Sequence, residues 1–312
     1  LHLSLRRQRQ MCIRDRYNFI VTTLLRGGSF TMKILITGAE NPLSKYIENR
    51  FKGTNEIYSF TRKELDISDK NLTYEIITDN KPDILIHLDS MSNIDICEHD
   101  ESLAYTINTI GTLNVAYPCS ILNIPIIYLS TSYVYDGNKN SPYFETDKCS
   151  PVNIYGKTKL AGEKLIRTLC KKYFIVRTGW LFGEENCFVN KVLDNSNVSM
   201  FVCSTETGNP TYVEDLCRVI EKMFHSDLYG IYNCGNPSST TKSAWVKKIF
   251  NYSGIERRIL EMPENFLRNT AIRPKNSSLN ISLIKNCFDI ELPNWENRLS
   301  EYIKDNGLPQ KK

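Results

Sequence analysis

Tyr155 and Lys159 stand four residues apart in NIYGKTKLAGEKLIRTL, at the start of a helical pattern. Residues i and i+4 of a helix share one face, about a turn apart. A phenol with a pKa near 10 is a poor acid-base group at neutral pH. A fixed ammonium beside it stabilises the phenolate, and a shift of about three units amounts to ~4 kcal/mol. The pair could therefore move a proton, with Lys159 tuning Tyr155. Chance also supplies such pairs among 17 tyrosines, and Tyr135 and Lys139 form a second one. That second pair straddles YDGNK, an Asp-Gly turn that cannot hold a helical face. Thr131, in YLSTSYVYDG, adds a hydroxyl just after an apolar run. This is the carboxyl edge of a sheet, where open α/β sheets bind their ligands, and the hydroxyl could bond a substrate carbonyl there.

A second set of residues could hold a cofactor. KILITGAENPLSKYI, residues 33 to 47, reads as strand, turn and helix, the order a dinucleotide-binding loop requires. Of the three glycines of a G-x-x-G-x-x-G loop only Gly38 is present; the other positions hold Asn41 and Ser44. Asn41 is expected to take a left-handed backbone at a cost of about 1 to 2 kcal/mol. It is also expected to cap a helix that has Pro42 first and Leu43 next, with amides aimed at a phosphate. Ser44 crowds the packing of helix on strand. The expectation is cofactor binding weakened roughly tenfold, not abolished. About 20 residues beyond the loop, Thr61 and Arg62 occupy the place of the carboxylate that bonds the ribose of NAD; an Arg there suits a 2′-phosphate. NADPH is thus expected ahead of NADH, which stays possible.

These groups need a scaffold, and the sequence after Met32 alternates short β-branched runs with longer helical ones. That pattern predicts an α/β fold, a Rossmann-type doubly wound parallel sheet with a smaller C-terminal substrate-binding region. Strands are predicted at 33–37, 56–60, 83–87, 125–130 and 174–178, and helices near 42–52, 69–80, 99–122 and 153–172. The nucleotide-binding domain is placed at 32–178, with 212–234 returning to it. The substrate-binding region takes 179–211 and 235–300, with SAWVKKIFNYSG as its main packed helix, and 301–312 is read as a tail. Residues 1–31 begin with the basic, aperiodic LHLSLRRQRQMCIRDR and are read as a non-native or upstream-translated segment, with Met32 as the start.

Composition excludes several classes. A net charge of +4 with 24% charged residues and no basic stripe argues against nucleic acid as a partner. Ten cysteines are scattered singly and four histidines share no ligand spacing, so neither a metal site nor a disulfide scaffold is expected. The apolar run FIVTTLL is too short for a membrane span. A cytoplasmic protein without membrane attachment is expected, and a homodimer is one possible assembly.

The order of motifs resembles that of the dTDP-4-dehydrorhamnose reductase family, a branch of the extended short-chain dehydrogenases. The resemblance rests on Thr37-Gly38, LDISD (65–69), NTIGT (108–112), STSYVYDG, PYFETD (142–147), YGKTKLAGE (155–163), RTGW (177–180), GNPTY (208–212) and RPKNSSL (273–279). It implies NADPH or NADH on the Rossmann domain and a nucleotide-linked 4-keto sugar as substrate, most simply dTDP-4-dehydro-L-rhamnose. By position it implies Tyr155 as proton donor, Lys159 as the residue that orients the nicotinamide ribose, and Thr131 as the bond to the C4 carbonyl. Asn108 matches a buried Asn; Asp66, Leu88, Asp89 and Ser90 fall in cofactor-contacting stretches. Ser132 and Trp180 would lie beside the sugar, and Arg273 would meet the diphosphate. The chain departs from the family at Ser132, at Leu88-Asp89-Ser90 and at Thr205-Glu206, and Asp89 would repel a pyrophosphate unless turned away. Two other readings follow from related proteins: a non-catalytic NADP-binding subunit resembling methionine adenosyltransferase beta, and a reductase or epimerase for a different nucleotide sugar.

Overall fold

Successive side chains of a strand point to opposite faces of its sheet, and a parallel sheet covered on both faces is apolar on both. That rule governs the first half of the chain. The computed structural model describes residues 31–184, 186–195, 199–263, 266 and 270–306. Residues 1–30 of the segment 1–31 read above as non-native, and residues 307–312, lie outside the described residues.

The elements run β1 (Lys33–Thr37), α1 (Pro42–Phe51), β2 (Glu56–Phe60), α2 (Lys70–Asn80), β3 (Ile84–His87), α3 (Ile94–His99), α4 (Glu101–Tyr105), a π-helical turn (Thr106–Gly111) and α5 (Thr112–Leu122). Then come β4 (Ile126–Thr131), a 3-10 turn (Ser132–Val134), α6 (Ile154–Leu169) and β5 (Tyr173–Thr178). The remainder comprises β6 (Leu181–Phe182), α7 (Phe188–Asp194), β7 (Ser199–Cys203), β8 (Thr207–Gly208), β9 (Thr211–Tyr212), α8 (Val213–Phe224), β10 (Gly230–Asn233), β11 (Thr240–Thr241), α9 (Lys242–Ser253), β12 (Arg258–Met262), α10 (Ser282–Phe288) and α11 (Trp295–Asp305).

Six strands form one parallel sheet in the order β10-β5-β4-β3-β1-β2. Ile34, Ile36, Ile84 and Ile86 pack with α1, α8 and α10 on one face, while Leu35, Leu85, Ile126 and Ile175 pack with α2, α5 and α6 on the other. Burying one such side chain stabilises by ~1.5–3 kcal/mol, so the alternation fixes register as well as layer. A separate core joins Phe182, Tyr212 and Trp245 with α7, α9 and α11. The chain leaves the sheet after β5 for this second core and returns as α8 and β10. It leaves again for α9 and β12, returns to the sheet with α10, and finishes in the second core with α11.

Two expectations about elements are corrected. The single helix predicted at 99–122 is divided, because Asp100 accepts from the Leu103 amide at 2.9 Å and starts α4, and the backbone then widens into the π-helical turn. The tail placed at 301–312 cuts through α11, whose Trp295, Leu299, Tyr302 and Ile303 recur at helical spacing and are buried. No helix among the described residues is long and apolar enough to cross a membrane. Nor, among them, do three His, Cys, Asp or Glu side chains gather where they could hold a metal ion.

Candidate active site

Helix α6 carries Tyr155 and Lys159 and starts where it must. Asn153 caps it by accepting from the Gly156 amide at 2.8 Å, and donates to the Ile272 carbonyl at 2.8 Å. A Cβ on Gly156 would sit 2.2 Å from the Tyr133 carbonyl oxygen, so only glycine lets the helix approach the turn after β4 so closely. That approach sets Tyr155 beside Tyr133, ring centroids 6.4 Å apart, and brings its phenol within hydrogen-bonding reach of Thr131. Thr131 ends β4, is buried, and its Oγ1 accepts from the Tyr133 amide at 3.2 Å.

The electrostatics differ from the sequence expectation. Burial pushes Tyr155 up to about 12, partly opposed by the Thr131 hydrogen bond, and Lys159 does not reverse this. Lys159 is itself pushed down to about 7 by burial, against the pull of Glu163, Asp89 and Cys97. Its Nζ lies 4.0 Å from the centre of the Tyr128 ring. In this state Tyr155 is a protonated phenol at neutral pH, the form that a proton donor needs.

Beneath the pair lies a polar layer of which the sequence reading singled out Asn108 alone. Glu163, one turn beyond Lys159, takes two hydrogen bonds from Arg177 at 3.0 and 2.7 Å and one from Ser130 at 2.5 Å. Its i+4 spacing from Lys159 was the available signal. Asn108 enters through the π-helical turn: its side chain accepts from the Met91 amide at 2.7 Å and donates to the Met91 carbonyl and to Thr158, both at 3.0 Å. Such turns are frequent at functional sites, because one widened turn re-aims a side chain. His87, buried between Thr37 and Thr112 at 2.7 and 3.1 Å, is held neutral with a pKa near 3 by burial and by Lys159.

The loop after β1 can lie against the chain beyond β3 only because residue 38 is glycine. Its φ is +78°, and an added Cβ would lie 2.6 Å from the backbone of Asp89. Asn41 corrects the sequence expectation: its φ and ψ are −66° and 126°, extended and not left-handed, so no backbone strain arises there. It caps α1 with Pro42 behind it, but its side chain accepts from the Leu43 amide at 3.1 Å. The Gly38 and Ala39 amides both donate to the Phe60 carbonyl, at 3.0 and 2.9 Å. Several donors expected to face a phosphate are therefore engaged within the loop. Ser44 is fully buried and donates to Glu48 at 2.8 Å.

Around the loop, Asp89 is buried, with one carboxylate oxygen paired to Arg62 and the other without a partner among the described residues. The feared repulsion is thus partly neutralised, and Arg62, half-exposed, keeps further donors for an anion. Its amide donates to Glu40 at 2.8 Å. Thr61 gives both its amide and its hydroxyl to Glu64, and Asp66 holds the Ser68 amide and hydroxyl; neither side chain is aimed at the loop by these bonds. Leu88 is a core residue, and Ser90 is half-buried beside Asp89. A glycine cradle, an orphaned buried acceptor and a half-exposed guanidinium are together compatible with a dinucleotide.

On the other side of Thr131, Thr178 of β5 is its register partner. Ser132 Oγ and Thr178 Oγ1 are buried without hydrogen-bond partners among the described residues. Trp180 follows at φ +48°, a conformation costing a non-glycine residue about 1–2 kcal/mol, and stacks on Trp245 with centroids 5.6 Å apart. Arg273 is paired within the protein. Its guanidinium is held by Asp95 through bonds of 2.7 and 2.6 Å. Arg273 in turn holds the Asp95 carboxyl well below the usual carboxylate range.

The sequence and the fold match known proteins. A family model described as the RmlD substrate binding domain covers residues 32–307. A dTDP-4-dehydrorhamnose reductase of Aggregatibacter actinomycetemcomitans is 32% identical over 285 residues, covering 86% of this chain and 97% of that protein. The spore coat polysaccharide biosynthesis protein SpsK of Bacillus subtilis is 31% identical, covering 88% of this chain and 97% of that protein. A crystal structure of dTDP-4-dehydrorhamnose reductase from Bacillus anthracis in complex with NADP superimposes with a TM-score of 0.85 at 33% identity, over 88% of this chain and all of that one. On the matched length, the identity and the shared fold, the chain belongs to the dTDP-4-dehydrorhamnose reductase family.

Proposed function

We propose that the protein reduces the C4 keto group of dTDP-4-dehydro-L-rhamnose to the alcohol of dTDP-L-rhamnose, with NADPH as reductant. The observation that carries this is the convergence of Thr131, Tyr155 and Lys159 at the carboxyl edge of the sheet, with the phenol protonated. The NADP complex of the relative from Bacillus anthracis supports the cofactor. Bound NADPH supplies the hydride that the ketone carbon receives. The chain supplies the rest: the Thr131 hydroxyl donates to the ketone oxygen and fixes it, and Tyr155 delivers a proton to that oxygen as negative charge develops on it. Lys159, when charged, stabilises the phenolate left behind. Gly38, Arg62 and the start of α1 would hold the cofactor. A binding-only subunit would need none of the three proton-handling groups.

The test is loss of the near-ultraviolet absorbance of NADPH when the purified protein meets freshly made dTDP-4-dehydro-L-rhamnose. Tyr155→Phe should lower kcat by about 10² to 10⁴ with little change in cofactor binding, since its role is confined to the transition state. No turnover by the wild type, with dTDP and NADPH both shown to bind, would overturn the proposal in favour of a binding role.

A further inference from the structure

The second core carries two charged side chains that the mechanism does not use. Glu206 is 7% exposed, and its carboxylate has no hydrogen-bond or ion-pair partner among the described residues. Lys242 has none either. Its ammonium is boxed by three rings, 4.0 Å from the centre of Trp180, 4.3 Å from Phe188 and 5.2 Å from Trp245. The two are neighbours by construction. The Lys242 amide donates to the Glu206 carbonyl at 3.0 Å, and β8 and β11, which follow and precede them, pair with Thr207 opposite Thr241. Glu206 acts electrostatically on both Lys242 and Arg273, and burial lowers Lys242 to about 8 against its pull.

Lys242 adjoins Trp180. Trp180 lies two residues beyond Thr178, the register partner of Thr131. An added Cβ on Gly208 would come within 2.6 Å of the Trp180 ring, so β8 packs directly on that indole. A buried carboxylate without a hydrogen-bonding partner, such as that of Glu206, is costly to leave so, and Lys242, although held over three rings, has no hydrogen-bond acceptor for its ammonium among the described residues. A ligand can relieve that cost. A charged substituent would satisfy one member and be repelled by the other. A neutral group that donates and accepts at once satisfies both, and on a nucleotide sugar such groups are the ring hydroxyls.

We propose that Glu206 and Lys242 form the sugar-selecting pair of this site, Glu206 accepting from and Lys242 donating to ring hydroxyls of a nucleotide-linked sugar beside Trp180. The inference rests on the proposed dTDP-sugar substrate and adds the residues that read its sugar.

Calorimetric titration of the full chain with dTDP-L-rhamnose and with dTDP gives the sugar's share of affinity as the ratio of the two dissociation constants. In Glu206→Gln and in Lys242→Met that ratio should fall by about tenfold, the effect of one charge-assisted hydrogen bond, while dTDP binding stays within about twofold. Unchanged binding of 2′,5′-ADP by each variant shows that its fold is intact. A sugar share equal to the wild type's in both folded variants overturns the inference, as does a dTDP affinity that falls by the same factor as that for dTDP-L-rhamnose. If the wild type binds neither probe, the proposed substrate itself fails, and the two failures are distinct.

Discussion

Replacing Glu163 by Gln tests whether the layer under the catalytic pair is as important as its geometry implies. Glu163 and Arg177 are 1% and 3% exposed, joined by two hydrogen bonds, and Arg177 also donates to the Tyr135 hydroxyl at 2.8 Å and the Glu145 carbonyl at 3.2 Å. At an effective dielectric constant of about 20, charges ~3 Å apart attract by roughly 6 kcal/mol. The substituted side chain would keep one acceptor but turn an amide donor toward Arg177, leaving a buried charge unpaired. The expected loss is about 3–5 kcal/mol, much of it the desolvation no longer offset. For a chain of this size that is a fall in Tm of roughly 5–9 °C, read by circular dichroism and checked by urea unfolding. Glu163 also supports the charge of Lys159, so the pKa of Lys159 should drop below its value of about 7. The double change Glu163→Met with Arg177→Met, which removes both charges, should recover a large part of the stability. A loss under about 1 kcal/mol in Glu163→Gln would refute this account and mean that water reaches the pair.

Three further outcomes follow from the same structure. Asp89→Asn, which removes a buried negative charge under Gly38, should tighten NADP binding by up to about tenfold in calorimetry; weaker binding would show that Asp89 serves to aim Arg62. Asn41→Gly should release the Leu43 amide and tighten NADP by a similar factor at a stability cost of a few tenths of a kcal/mol, whereas unchanged affinity would show that this amide does not face the phosphate. Lys159 titrates near 7 in the folded chain and near 10.5 unfolded, so within that window the unfolded chain binds the extra proton and this group makes stability rise with pH. Lys159→Met should thus gain most over the wild type near pH 7 and lose that lead as pH approaches 10.5; a constant lead between those values contradicts the assignment.

The sheet was legible because its signal is local. KILIT, EIYSF and the apolar run at 125–130 state their strands outright, and Asn41-Pro42 announces its helix by cap chemistry. What was not legible depends on partners distant in the chain. The π-helical turn at Asn108 is fixed by Met91, Thr158 and by Gly111 lying against Ile67, none of which a period of 3.6 residues reveals. Asp89 was visible as a misplaced charge, but Arg62 as its partner was not, and neither was Asp95 as the partner of Arg273, 178 residues away. Burial also reversed the expected pull of Lys159 on Tyr155, since desolvation depends on the layers above and below and not on i+4 spacing. The end of α11 is a different case. Its apolar residues at 295, 299, 302 and 303 were in plain view.

The repeated passage of the chain between the sheet and the second core bears on how the molecule comes apart. A fragment ending at Thr178 would carry β5 as a bare edge, with the N–H and C=O groups that β10 normally takes and with the face of Phe174 and Val176 that α8 and α10 normally cover. An exposed apolar edge of that kind templates association, so such a fragment should aggregate and not behave as a free nucleotide-binding unit. In the intact chain the same threading ties the melting of one region to that of the other. A ligand that touches only the sheet would then protect α9 and α11 from hydrogen exchange as strongly as it protects β1.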